Sequence, residues 1–204
     1  DDGFSIHESI EAVVRNGWFH HNGSGIEDVN LSRSFYSGIR VHDNRNLGVL
    51  FIGAFHSAVD ALVENNPVNF RIASSVTKHL IGGEHSPLRE NSVYLQNVVS
   101  VGGNVGLSVG GSSRVMAVNS IFRDAKTGVE MSGTSQVHLT KSVVAACEKH
   151  ELSCGGRSFY GDCNVYFPGR FKVAGKEYAE DSWEEFQSVV GQHGHAVIKD
   201  PMLT

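Results

Sequence analysis

The residues best suited to chemistry stand near the start of the chain: Glu27, Arg40, His42 and Asp60, each inside a short apolar run that follows a glycine or a polar corner. Two carboxylates, a guanidinium and an imidazole are groups that move protons, and the carboxylates can also hold a hard cation. Histidine is frequent, with 11 residues and pairs at His20/His21 and His193/His195. His193 and His195 share a strand face, but two ligands make no metal site without a third, so no metal is assigned. Asp43, Asn44 and Asn46, like Glu64, Asn65 and Asn66, are oxygen-rich corners that could take calcium. Neither has EF-hand spacing, and such residues also form turns. Cys147, Cys154 and Cys163 cannot all pair within one chain; a Cys154–Cys163 disulfide stands against buried or incidental thiols. The sequence has no nucleophile elbow, P-loop or HExxH motif.

The element that must position these residues is a repeat. Gly106 to Thr127 is followed at once by a second version of itself, Gly128 to Lys149, with Gly, Val/Leu, Ser and Ile/Val recurring at matched positions twenty-two residues apart. Each unit holds strands of three to six residues, too short to bury a face alone, so the units must stack. The expected fold is all-β: a right-handed parallel β-helix of six or seven coils. Asn16, Asn97 and Asn119 each fall nine residues before a repeat glycine (Gly25, Gly106, Gly128), which marks one corner where Asn takes a left-handed conformation and bonds its copies above and below.

The first coil runs from Gly3 to Gly25; the next is irregular, with Gly38 taken as its repeat glycine. From Asn65 to Glu90 the period blurs around one strand, Phe70 to Val76, and a loop near Gly82 to Pro87 that could form a binding rim. Coils occupy residues 1–168; residues 169–204 complete the same domain with a hairpin and a capping helix. That helix has a capping-box spacing at Asp181/Glu184, a stripe of Trp183, Phe186, Val189 and Val190, and a stop at Gly191. It would cover the open end of the stack.

A net charge of -5 argues against a general nucleic-acid binder, and no apolar run is long enough to span a membrane. The opening DDGFSIHES is not a signal peptide and begins inside a repeat, so a mature chain or a fragment of a larger one is expected, acting as a monomer or as that fragment.

If the strand after each repeat glycine alternates, Ser5, Glu27, Arg40, Asp60, Ser108 and Glu130 face outward in one column, with His7 and His42 two residues further along. At about 4.8 Å per coil, Glu27, Arg40, His42 and Asp60 then form one charged patch, which also reads as an ordinary surface ladder.

The GI-x-V and GV-x-M strands, the corner Asn residues and the closing run CNVYFPG…DSWEEFQSVVGQHGHAVIKDPML resemble the right-handed parallel β-helix superfamily of pectate lyases and related polysaccharide enzymes. The resemblance covers most of the chain but no catalytic motif. It implies a sugar groove along one sheet. Arg40 or His42 would be a lyase base, and Glu27 and Asp60 a cation site, with calcium the candidate ion, or the carboxylate pair of a hydrolase. Glu130, His7, Trp18 and Tyr36 would bind substrate, Trp18 and Tyr36 by stacking. The implied activity is a lyase or glycosidase acting on acidic polysaccharides or oligosaccharides, outside the cell or in the periplasm. The competing reading is a non-catalytic β-helix that binds glycans or serves as a structural or interaction module.

Overall fold

The computed structural model describes residues 1–7, 11–29, 32–74, 91–155, 158–190 and 194–202. They form a parallel β-solenoid of about 7 turns. Each coil lays one strand on each of three faces. Sheet A begins with Asp2–Ile6, sheet B with Glu11–Arg15 and sheet C with Trp18–His20. Strands three to six residues long bury one face only because the neighbouring coils continue it. On sheet A, Phe4, Ile26, Val49, Phe70, Leu107, Val129, Leu152 and Phe171 stand in one inward column. Val63, Ser100, Phe122, Val144 and Tyr166 do the same from sheet C. The core is the line where these columns meet.

Corners interrupt the ladder, and side chains complete it. Between sheets B and C the chain turns at Asn16, Gly38, Asp60, Asn97, Asn119, Lys141 and Cys163, all with φ between 50° and 63°. Asn tolerates this region because its short amide bonds locally. The Asn97 amide donates to Asp60 (2.8 Å) and that of Asn119 to Asn97 (2.8 Å), forming the ladder expected from the spacing. Between sheets C and A a second ladder is buried. The backbone N–H of Asn22 donates to Asn44 Oδ1 and that of Asn44 to Asn66 Oδ1, each at 3.0 Å and each twenty-two residues on. These oxygens are consumed by the backbone, so Asn44 and Asn66 are structural rather than calcium ligands.

The second coil corrects the expected register. Ser34, Phe35, Tyr36 and Ser37 pair with His56, Ser57, Ala58 and Val59, so the period holds at twenty-two on sheet B, while sheet A steps by 23 from Ile26 to Val49. Gly38 is a corner residue equivalent to Asn16 and Asp60; the position equivalent to Gly25 is Gly48. The two glycines answer different demands. Gly38 supplies a positive φ, whereas a Cβ on Gly48 would lie 2.6 Å from the Asn69 carbonyl oxygen and 2.8 Å from Asn66 Nδ2.

The strand expected at Phe70 to Val76 spans Val68–Ala73, and the loop near Gly82 to Pro87 lies outside the described residues. At the C-terminal end, Phe171–Val173 and Lys176–Tyr178 form the expected hairpin, the antiparallel pair at the end of sheet A. The helix Trp183–Val190 buries Phe186 and Val190 against the last coil, and the Phe186 ring stacks 4.2 Å from that of Phe171. Its entry differs from the expected Asp181/Glu184 box. A 3-10 turn, Glu180–Ser182, precedes it, and Ala179 N–H donates to Ser182 Oγ at 2.9 Å while Ser182 N–H returns to Ala179 O. The chain then adds Val197–Ile198 to sheet C beside Val165 and Tyr166. Among the described residues no helix is long and apolar enough to cross a membrane.

The buried Asn ladder makes a quantitative demand. Asn44→Ala strands the Asn22 amide and half of the Asn66 acceptor capacity, so urea unfolding should show a loss of about 1–3 kcal/mol per unpaired buried group. Asn46→Ala, two residues away and exposed, should stay within about 0.5 kcal/mol of the parent.

Candidate functional site

Three of the residues singled out from the sequence meet on the outer face of sheet C. Trp18 lies beside Arg40, and His20, His42 and Glu64 form the adjoining column across three coils. The strands here hold only three residues, so both outward positions of each strand serve the same patch. Trp18 is 64% exposed. Its indole N–H donates to His42 Nε2 at 2.5 Å, and the Arg40 guanidinium carbon sits 5.8 Å from the indole centroid. Arg40 Nε and Nη2 both donate to Glu64 Oε1, at 3.0 and 2.6 Å. His20 stacks on His42 at 5.0 Å with a 9° interplanar angle, and shares a 2.7 Å Nδ1–Nδ1 hydrogen bond with His21.

Those contacts define the state of His42. Its Nε2 accepts from Trp18, so the proton resides on Nδ1, which donates to Asp43 Oδ2 at 2.6 Å. The hydrogen bond from His42 holds the Asp43 carboxyl below the usual carboxylate range. The result is a carboxylate-oriented imidazole whose basic nitrogen is covered by an indole. To act as a base, His42 must first part from Trp18.

The other residues fall elsewhere. Glu27 projects from sheet A, where Ser24 Oγ donates to it at 2.9 Å; its column continues through Leu50, Arg71 and Ser108 to Glu130. Four coil steps separate Glu27 and Glu130, about 19 Å, too far for a carboxylate pair. Asp60 is a corner residue bonded to Asn97, on the far side of the coil from sheet A. The expected compact patch of Glu27, Arg40, His42 and Asp60 is therefore not formed: treating Gly38 as a repeat glycine moved Arg40 and Asp60 onto the wrong sheet. His7 is exposed at the end of the first sheet A strand, 2.7 Å from Ser5 Oγ.

Tyr36 is fully buried and cannot stack on a sugar. It points inward and donates to Asp28 Oδ2 at 2.8 Å, alongside hydroxyls of Ser32 and Ser34 and, at 3.3 Å, His56 Nδ1. Burial would raise the Asp28 carboxyl, but the hydrogen bond and charge of His56 with the Ser32 and Ser34 hydroxyls outweigh it and lower it. This Ser, His and Asp cluster is no acyl-transfer triad: Ser34 and Asp28 both sit at Nδ1, whereas a triad needs the serine at Nε2. It neutralises a polar core.

Of the two readings of the cysteines, the structure has the thiols and not the Cys154–Cys163 disulfide: Cys154 lies buried at the inward end of a sheet A strand, Cys163 is exposed at a corner, and Cys147 is buried. His193 lies outside the described residues. Missed in the sequence was a stripe on sheet B, Tyr94, Met116, His138 and Tyr160, whose first three members border, with Phe55 and Arg114, a shallow cavity of about 340 Å³. Its signal was available, since the four positions are spaced by the coil period. No protein-family model, curated protein or solved structure matches the chain.

The His42 assignment is directly checkable. Nitrogen-15 NMR should report the Nδ1–H tautomer, with a downfield Trp18 indole proton that moves upfield in His42→Ala. In Asp43→Asn the tautomeric preference should weaken while the fold is kept.

Proposed function

We propose that this parallel β-helix binds acidic oligosaccharides on the sheet C patch around Trp18. The observation that carries the reading is an indole left 64% exposed within reach of one guanidinium and two imidazoles. An apolar ring face suits the C–H face of a pyranose, and a planar cation beside it suits a uronate carboxylate. Glu64 fixes Arg40 through two donors, so the guanidinium is oriented before any ligand arrives. A ligand of this kind argues for an extracellular or periplasmic setting.

A catalytic reading has one specific support, the His42–Asp43 pair. With Trp18 displaced onto a sugar ring, His42 Nε2 could remove the proton beside the uronate carboxyl while Arg40 neutralises that carboxyl. The electrons would form the carbon–carbon double bond and expel the glycosidic oxygen, which takes a proton from solvent. A two-carboxylate hydrolase has no comparable support, since Glu27, Asp60 and Glu130 do not converge.

Binding and chemistry separate experimentally. Against uronate and neutral oligosaccharides, with calcium supplied, tryptophan fluorescence should respond to the uronates, and Trp18→Ala should weaken binding by about tenfold or more, the scale of an anchoring residue. Ultraviolet absorbance from unsaturated uronate, lost in His42→Gln with binding retained, would establish the lyase. Binding without product would establish a glycan-binding module. No binding across the panel by folded protein would overturn both.

A further inference from the structure

We propose that Asp162, Cys163 and His195 form a binding site for one divalent transition-metal ion, zinc foremost. One ligand atom from each lies within 4.8 Å of the other two. The site arises from two pieces of chain that the end of the solenoid brings together. Asp162 ends the strand Phe159–Asp162, and Cys163 occupies the last left-handed corner between sheets B and C, at φ 55°. His195 enters from the tail, just before the Val197–Ile198 strand joins sheet C.

The donor set is what selects the metal. A thiolate, an imidazole and a carboxylate together suit zinc and its neighbours in softness, while calcium and magnesium prefer oxygen alone. Preorganisation is visible: the backbone N–H of His195 donates to Asp162 Oδ1 at 3.2 Å, and His195 Nδ1 lies 3.0 Å from the same oxygen. A tetrahedral zinc site spaces its ligand atoms about 3.3–3.8 Å apart, given metal bonds of about 2.0–2.3 Å. Closing from 4.8 Å needs only side-chain rotation at an exposed corner. On binding, the Cys163 thiol loses its proton to solvent and the ion takes the place of the proton between His195 and Asp162, leaving the imidazole protonated at Nε2. Water completes the fourth position. Because its ligands come from both segments, the ion fastens the tail to the last coil, the end where an unprotected stack would be open to further strands. This site is remote from the Trp18 patch, at the opposite end of sheet C.

The test uses the whole protein, kept reduced, titrated with Co²⁺ as a spectroscopic probe. One equivalent should produce a near-ultraviolet thiolate-to-cobalt charge-transfer band that Zn²⁺ then removes. Cys163→Ser should lack the band, and Asp162→Asn and His195→Ala should each bind at least about tenfold more weakly. In the unaltered protein, Zn²⁺ should shield Cys163 from iodoacetamide, a measurement that does not depend on how any variant folds. Absence of the band at excess Co²⁺, its persistence in Cys163→Ser, or undiminished alkylation in saturating Zn²⁺ would each overturn the proposal.

Discussion

The hydrogen bond from the Asn44 amide to the Asn66 side chain, repeated from Asn22 to Asn44, expresses the constraint on which the structure depends. Within a strand, stacking satisfies the backbone; at a corner it does not, and each buried N–H left over costs about 1–3 kcal/mol. A coil can therefore sit on its neighbour only where the corner side chain lands in register. Gly48 belongs to the same demand, because its Cβ would press on the Asn66 amide and on the next strand. Later coils satisfy the opposite corner differently, with Ser120, Ser142 and Asn164 accepting from the Val98, Ser120 and Ser142 amides.

Once register is fixed, surface chemistry follows column by column. Every outward residue stands about 4.8 Å from its counterpart on the next coil. Sheet C thus begins with Trp18, His20, Arg40, His42 and Glu64; the Trp18 column continues through Leu62, Val99, Ile121, Val143 and Val165, and the His20 column through Val101, Arg123, Ala145 and Phe167. The indole and imidazoles of these two columns lie in the first coils, and only there do they meet a guanidinium, which sets the Trp18 patch apart from the rest of the face. Coupling within it is tight: Trp18 covers the imidazole nitrogen of His42 that does not face Asp43, and Glu64 holds the cation beside the indole.

Much of the fold was legible because the repeat states its own period. Asn16, Asn97 and Asn119 identified a corner, and the hairpin and Trp183–Val190 helix followed from turn chemistry and an apolar stripe. The site was harder to read because glycine has two uses in a coil that one letter does not separate. Gly38 turns the chain and Gly48 makes room for it, so Arg40 stands on sheet C and Asp60 at a corner, where a single use of glycine predicts sheet A for both. Tyr36 misled for another reason: a polar core around Asp28 and His56 gives an inward residue a hydroxyl partner, so its amphipathic character does not reveal which way it faces. Trp18, Arg40 and His42 lie together on sheet C, while their neighbours His20, Asp43 and Glu64 read from the sequence as corner residues.

The central claim is that sheet C at its first three coils is the ligand face. An amide and indole chemical-shift titration with a uronate oligosaccharide tests it most directly. Perturbations should cluster at Trp18, His20, Arg40, His42 and Glu64 and leave the sheet A column from Ser5 to Glu130 unmoved. Shifts centred on Glu27 and Glu130, or none at saturating ligand, would contradict it.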